Sequence, residues 1–164
     1  MPLVLRGVKQ PKWYKQKARP FLLKGDVPAD PFGDLPTRDN KLSVWIVKDD
    51  RSNLERIITA LAVTRYRPDK FDYLLFDAEI LSVCGISIKE SRGGTLDSGV
   101  NVWHRDLVEL SGLKLLDLVK GILNSNYQTG RFHPKKILQL IAHAIASGRI
   151  AKDKLPQRFQ ANSQ

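Results

Sequence analysis

Hydrophobic and polar positions along this chain follow two periods, and each marks out its own elements. In Leu42–Val47 (LSVWIV), Val44 and Ile46 point one way and Ser43 and Trp45 the other, with Ser43 the only polar residue. A strand apolar on both faces belongs inside its sheet. Ser52-Asn53-Leu54-Glu55 then matches the capping box, in which serine caps the third amide and glutamate reaches back. Leu54, Ile57, Ile58 and Leu61 share one helical face, which predicts a helix over 53–64. Phe71–Phe76 (FDYLLF) reads as a second buried strand, with one continuous helix over 71–84 as the alternative. Asp77–Cys84 fits a short helix stopped by Gly85, and Ile86–Lys89 alternates as a strand does. Ser91–Gly99, with Gly93, Gly94 and Gly99, is expected to be a mobile loop, and Val100–Leu110 to be extended.

The helical period returns after Ser111, a capping residue. Leu115, Leu116, Val119, Ile122 and Leu123 are apolar, and Gly121 among them costs about 1 kcal/mol relative to alanine. Asn124–Phe132 reads as a turn. His133-Pro134 opens the last helix, with His133 as its cap and proline where a missing donor is harmless. Ile137, Leu138, Ile141, Ala144 and Ile145 form its buried face, and Gly148 ends it. The polar tail after Lys152 is expected to fray.

Proline interrupts both periods in residues 1–41, which hold six of the nine prolines. That density removes backbone donors and disfavours helix before each ring, so the segment reads as extended or irregular. Residues 25–40 form an acidic Gly/Pro/Asp linker, and some of Phe21, Leu22, Leu23, Val27, Phe32 and Leu35 are expected to pin the chain to the domain surface. The resulting expectation is an α+β, or small α/β, domain: a three- to four-stranded sheet packed by helices at 53–64, 112–123 and 134–147. An extended basic arm and linker (1–40) precede the single globular domain (41–150), and a flexible basic tail (151–164) follows.

Composition narrows the class. A chain of 164 residues, 42% hydrophobic and 27% charged, is ordinary for one globular domain. Cys84 is the only cysteine. It allows neither an internal disulfide nor a cysteine-based metal site, which fits a reducing, cytoplasmic compartment. No apolar run is long enough to span a membrane, and the apolar run near the N-terminus is too short for a secretory signal. The lack of acids before Lys24 also fits a transit peptide. The lysine, proline and aromatic content, and the absence of serine there, argue against one.

Charge changes the picture most. Of the net +10, residues 1–24 carry +7, residues 25–130 carry −3 and residues 131–164 carry +6. A terminal block of one sign repels itself until an anionic partner neutralises it. Arg6, Lys9, Lys12, Lys15, Lys17, Arg19 and Lys24, interleaved with Trp13 and Tyr14, suit phosphate neutralisation and base stacking. Arg131, Lys135 and Lys136 extend the set. Such contacts bind without reading sequence. The expected role is a non-enzymatic accessory subunit that binds RNA or DNA through its basic ends within a larger assembly. The alternative is an adaptor whose arm docks on a partner protein. No cofactor is expected.

A third reading rests on Asp49, Asp50 and Asp77, as a metal-dependent phosphoryl-transfer or nuclease site. Hydrophobic strand, acid pair, amphipathic helix and a later strand ending in aspartate, over 42–61 and 71–77, resemble the start of a phospho-accepting receiver domain. That resemblance implies Mg²⁺ held around an acyl phosphate. The chain departs from it: Asp77 follows Asp50 too closely for the strand and helix a receiver places between them, and no strand-end threonine and lysine follow. A nuclease reading wants acid-x-Lys after Asp77, and Ser87-Ile88-Lys89 supplies the lysine but not the acid. The bland reading places Asp49 and Asp50 in a turn, where they favour the helix dipole. His143 belongs to the polar side of its helix. His104, in Trp103-His104-Arg105-Asp106, has acid, base and aromatic neighbours and is assigned a local structural role. No histidine pair has ligand spacing, and Cys84 reads as a small buried hydrophobe. No catalytic or metal-binding residue is assigned.

Overall fold

A computed structural model of the chain describes residues 2–9, 13, 25–65 and 70–156. Within them lie β1 (Leu3–Gly7), β2 (Leu42–Val47), α1 (Leu54–Ala62), β3 (Phe71–Asp77), α2 (Glu79–Val83), β4 (Ser87–Glu90), β5 (His104–Val108), α3 (Gly112–Leu123), β6 (Gln128–Phe132) and α4 (Pro134–Ala146). The six strands form one sheet in the order β4-β5-β2-β1-β3-β6, every pair antiparallel. The α+β class therefore stands, with a larger sheet than expected; α2, beyond the three main helices, is the short helix read over Asp77–Cys84.

Strand alternation divides the core in two. Leu5, Trp45, Val47, Phe71 and Leu75 pack on one face with Ile57 and Ile58 of α1 and Ile137 and Ile141 of α4. Val4, Val44, Leu74, Phe76 and Leu107 pack on the other with Leu81 of α2 and Leu118, Val119 and Ile122 of α3. A sheet covered on both faces needs interior strands that are apolar on both sides, and β2 and β3 are such strands. The expected helices appear within two residues of the sequence boundaries, because a helical stripe with a capping residue marks its own ends. At α3 the Ser111 hydroxyl accepts from the Lys114 amide at 3.2 Å.

The largest correction concerns β1. Leu3–Gly7 is no arm: it runs between β2 and β3, with Leu3 opposite both Val47 and Asp77. The prolines that suggested irregular chain, Pro2 and Pro11, lie outside these five residues. A strand paired on both edges draws its stability from two ladders, so a short apolar run suffices. The linker does pin to the domain: Asp30–Asp34 forms a 3₁₀ turn, Leu35 is buried, and Val27 and Phe32 pack against the same core.

Other local expectations change. Gln128–Phe132, read as a turn, is edge strand β6; its sequence QTGRF carries no alternation, and its partner β3 specifies it. There Gly130 lies opposite Tyr73 and Arg131 opposite Asp72. The capping box does not form. Asn53 takes the N-cap position, and its amide group ties the turn instead, accepting from the Lys48 amide at 3.0 Å and donating to the Ile46 carbonyl at 3.1 Å. Val100–Leu110 divides into a 3₁₀ turn at Asn101–Trp103 and strand β5.

The glycine-containing loop after β4 is pinned rather than mobile. Arg56 clasps Asp97 with two hydrogen bonds of 2.8 and 2.7 Å, and the Asn101 side chain bonds Thr95 at both ends. The start of the C-terminal segment is also held. Ile150 and Leu155 enter the α1–α4 core, because Gly148, at φ 70°, turns the chain back over it. Residues 157–164 of the expected tail lie outside the described residues.

Candidate nucleic-acid interface

Strand register gathers basic residues from both ends of the sequence. Gly7 sits opposite Tyr73, and the Val8 amide donates to the Asp72 carbonyl at 3.0 Å. Lys9 therefore leaves the sheet beside Phe71 and Lys70. On the other side of β3, Arg131 pairs with Asp72 and Phe132 with Phe71, so His133 follows at the same end. Adjacent strands lie about 4.8 Å apart. From the end of α1, Arg65 donates to the Lys70 carbonyl at 3.3 Å and lies 3.9 Å over the Phe71 ring. Lys135 and Lys136 occupy the first turn of α4, whose N-terminus adds positive potential. His133 supplies no side-chain cap there, contrary to expectation.

Arg131 and Lys136 each meet an acid. Arg131 holds Asp72 through bonds of 2.6 and 2.9 Å, and Asp72 is buried. Lys136 meets Glu55 at 2.8 Å, with the side chains 47% and 53% exposed. An ion pair this wet contributes about 0–1 kcal/mol, so a phosphate can replace its carboxylate. Lys9 and Lys135 are exposed.

Two expected contacts belong to the fold instead. Trp13 is fully buried, and its indole donates to Asp34 Oδ2 at 2.9 Å, so it offers no ring for base stacking. Arg6 donates to the Asp34 and Ser43 carbonyls at 3.2 and 2.7 Å. Burial lowers its pKa, and Asp34 partly opposes that. Asp34 also accepts from the Lys9 amide at 2.9 Å, and the Tyr127 hydroxyl donates to the Trp13 carbonyl. Asp34 was missed in the sequence; its one signal is an acid between Phe32 and Leu35 in a proline-bounded turn. Lys12, Tyr14, Lys15, Lys17, Arg19 and Lys24 lie outside the described residues.

Asp50 and Asp77 serve local turns. Asp77 is level with Val47 but separated from it by β1. Its Oδ1 accepts from the Glu79 amide at 2.9 Å, and Asp50 Oδ1 from the Ser52 amide at 2.9 Å. The Ser52 amide holds the Asp50 carboxyl below its ordinary range. Among the described residues, no group of three His, Cys, Asp or Glu side chains is placed to hold a metal. None of the described helices is long and apolar enough to cross a membrane. Cys84 is half-buried and donates to the Asp117 carbonyl at 3.3 Å; burial, then Asp117, raises its pKa.

His143 is exposed. His104 is buried, and it organises a second polar cluster. Its Nδ1 lies 2.8 Å from Ser91 Oγ and its Nε2 4.0 Å from Asp106 Oδ1. The Ser43 hydroxyl donates to the same Asp106 oxygen at 3.3 Å, and the Trp45 ring meets the imidazole edge-on at 4.9 Å. Lys41, Lys89, Ser91, Asp106 and Val108 line a recess of about 480 Å³ beside it. The chain matches no protein-family model, no curated protein and no solved structure.

Proposed function

We propose that this protein binds nucleic acid, laying a phosphate backbone across the end of the sheet where β1 and β6 finish and β3 starts, and serves as an accessory subunit of a larger assembly. The observation that supports this reading is that Lys9, from the N-terminal basic block, and Arg131, Lys135 and Lys136, from the C-terminal one, lie at that end of the sheet. Lys9, Arg65, Lys70, Arg131, Lys135 and Lys136 share that region with the acids Asp72 and Glu55. Lysine is a compact point charge that neutralises phosphate and releases condensed counterions. None of these groups is arranged to read base edges, so affinity follows charge rather than sequence.

Fluorescence anisotropy with a labelled oligonucleotide tests the reading on the full chain. Affinity is expected to fall steeply with salt. The double variant Lys9→Glu, Lys135→Glu is expected to bind at least tenfold more weakly and to flatten the salt slope by about two charges. Binding that ignores salt, or that survives this charge reversal unchanged, overturns the reading.

A further inference from the structure

We infer that Ser91, His104 and Asp106 form a hydrolytic site for a small polar ester, independent of the basic end of the sheet. The β4–β5 ladder sets the geometry. Glu90 lies opposite Arg105, which places Ser91 across from His104. Ser91 Oγ and His104 Nδ1, 2.8 Å apart, are within proton-transfer distance, as nucleophile and base must be.

Asp106 lies two residues along β5 on the same face. Its carboxylate faces Nε2 at 4.0 Å and is held by Ser43. It stands where an acid stabilises the imidazolium that forms when Nδ1 takes a proton. Trp45 and Gly93 stand against one side of His104. A Cβ added at Gly93 would come within 2.7 Å of the Trp45 ring and 3.1 Å of His104 Cβ. Those contacts close one side of His104, while Ser91 and Asp106 border the open recess. Its volume suits a small ligand, and the charged side chains among its lining, Lys41 and Lys89 with Asp39, Glu90 and Glu109, suit a hydrophilic one. Lys89, opposite Asp106 in the ladder, is exposed and lines the recess.

The reaction uses water alone as co-reactant. Ser91 Oγ bonds to the ester carbonyl carbon as its proton passes to His104 Nδ1. The carbon–alkoxide bond breaks, and that proton leaves with the alcohol. Water then attacks the acyl carbon and gives one proton to Nδ1; the bond from that carbon to Ser91 Oγ breaks, the carboxylic acid leaves, and Nδ1 returns the proton to Ser91 Oγ. Ser91 and His104 are the catalytic residues; Asp106 is a positioning residue.

The test treats the full chain with a fluorophosphonate probe and with p-nitrophenyl acetate. The expected result is one phosphonate adduct per chain, mapped to Ser91, and ester hydrolysis that depends on the same serine. Ser91→Ala is expected to abolish both. Asp106→Asn is expected to slow labelling at least tenfold and to displace the pH profile, with unchanged melting temperature. Because His104 is buried, His104→Gln is judged only on protein with a native melt, where labelling is expected to vanish. Should that variant fail to fold, the Asp106→Asn profile decides. No adduct at Ser91, labelling undiminished in Ser91→Ala, or a pH profile unmoved in Asp106→Asn overturns the inference, and leaves the cluster as a cross-strand brace.

Discussion

Asp97 carries opposing effects on a single carboxyl. Burial would raise its pKa, but the hydrogen bonds and charge of Arg56, with the Gly99 amide and Arg149, hold it below the ordinary 3.8. A depressed carboxyl stabilises the fold fully above its unfolded value and loses that contribution as pH falls through the folded one. Asp97→Asn is therefore expected to lower stability at pH 7 by about 2–3 kcal/mol. Its deficit against the parent should shrink in melts below pH 3.8; a deficit constant with pH would rule this account out. Gly121 poses a sharper sign question. Helix propensity alone favours alanine there by about 1 kcal/mol. An added Cβ, however, would lie 2.8 Å from Ile80 Cγ2 and 3.3 Å from Cys84 Sγ, where α2 crosses α3. Overpacking costs about 1–3 kcal/mol, so Gly121→Ala should unfold at lower urea concentration, and a higher midpoint would refute it.

Elements differ in how far the sequence announces them. The helices α1, α3 and α4 and the strands β2 and β3 were legible because their apolar periods are long and end in breakers. Edge strand β6 was not, since QTGRF carries no alternation and its pairing depends on Asp72 and Tyr73 far away in the chain. For the same reason the meeting of Lys9 with Arg131 and Lys135 was hidden: register, not spacing, brings them together. The Ser91–His104 pair was hidden because its loop read as mobile. Arg131 joins both themes, since it closes a buried ion pair across β3 and β6. Arg131→Ala leaves Asp72 buried without that partner and is expected to cost about 3 kcal/mol, whereas Lys135→Glu should leave the melt within about 0.5 kcal/mol. Equal melts for the two variants would show that the Asp72 pair does not hold the edge strand.

At the scale of the whole molecule, the basic N-terminal segment cannot be cut away without cutting the sheet. Removing residues 1–9 deletes the strand between β2 and β3 and leaves two interior edges open, a template for aggregation. Size-exclusion chromatography is expected to show such a truncation eluting as aggregate rather than as folded protein; a folded species with a native melt would contradict the topology. Charge reversal at Lys9 and Lys135 is therefore the informative way to probe anion binding. The same topology fixes an order of assembly at the ribosome. Leu3–Gly7 leaves the exit tunnel before either neighbour, and β2 follows it ahead of β3. The growing chain must carry one half-covered strand through the interval until Tyr73–Asp77 emerges. That interval is the chain's exposure to misassembly during synthesis, and translation speed between residues 47 and 77 sets its length.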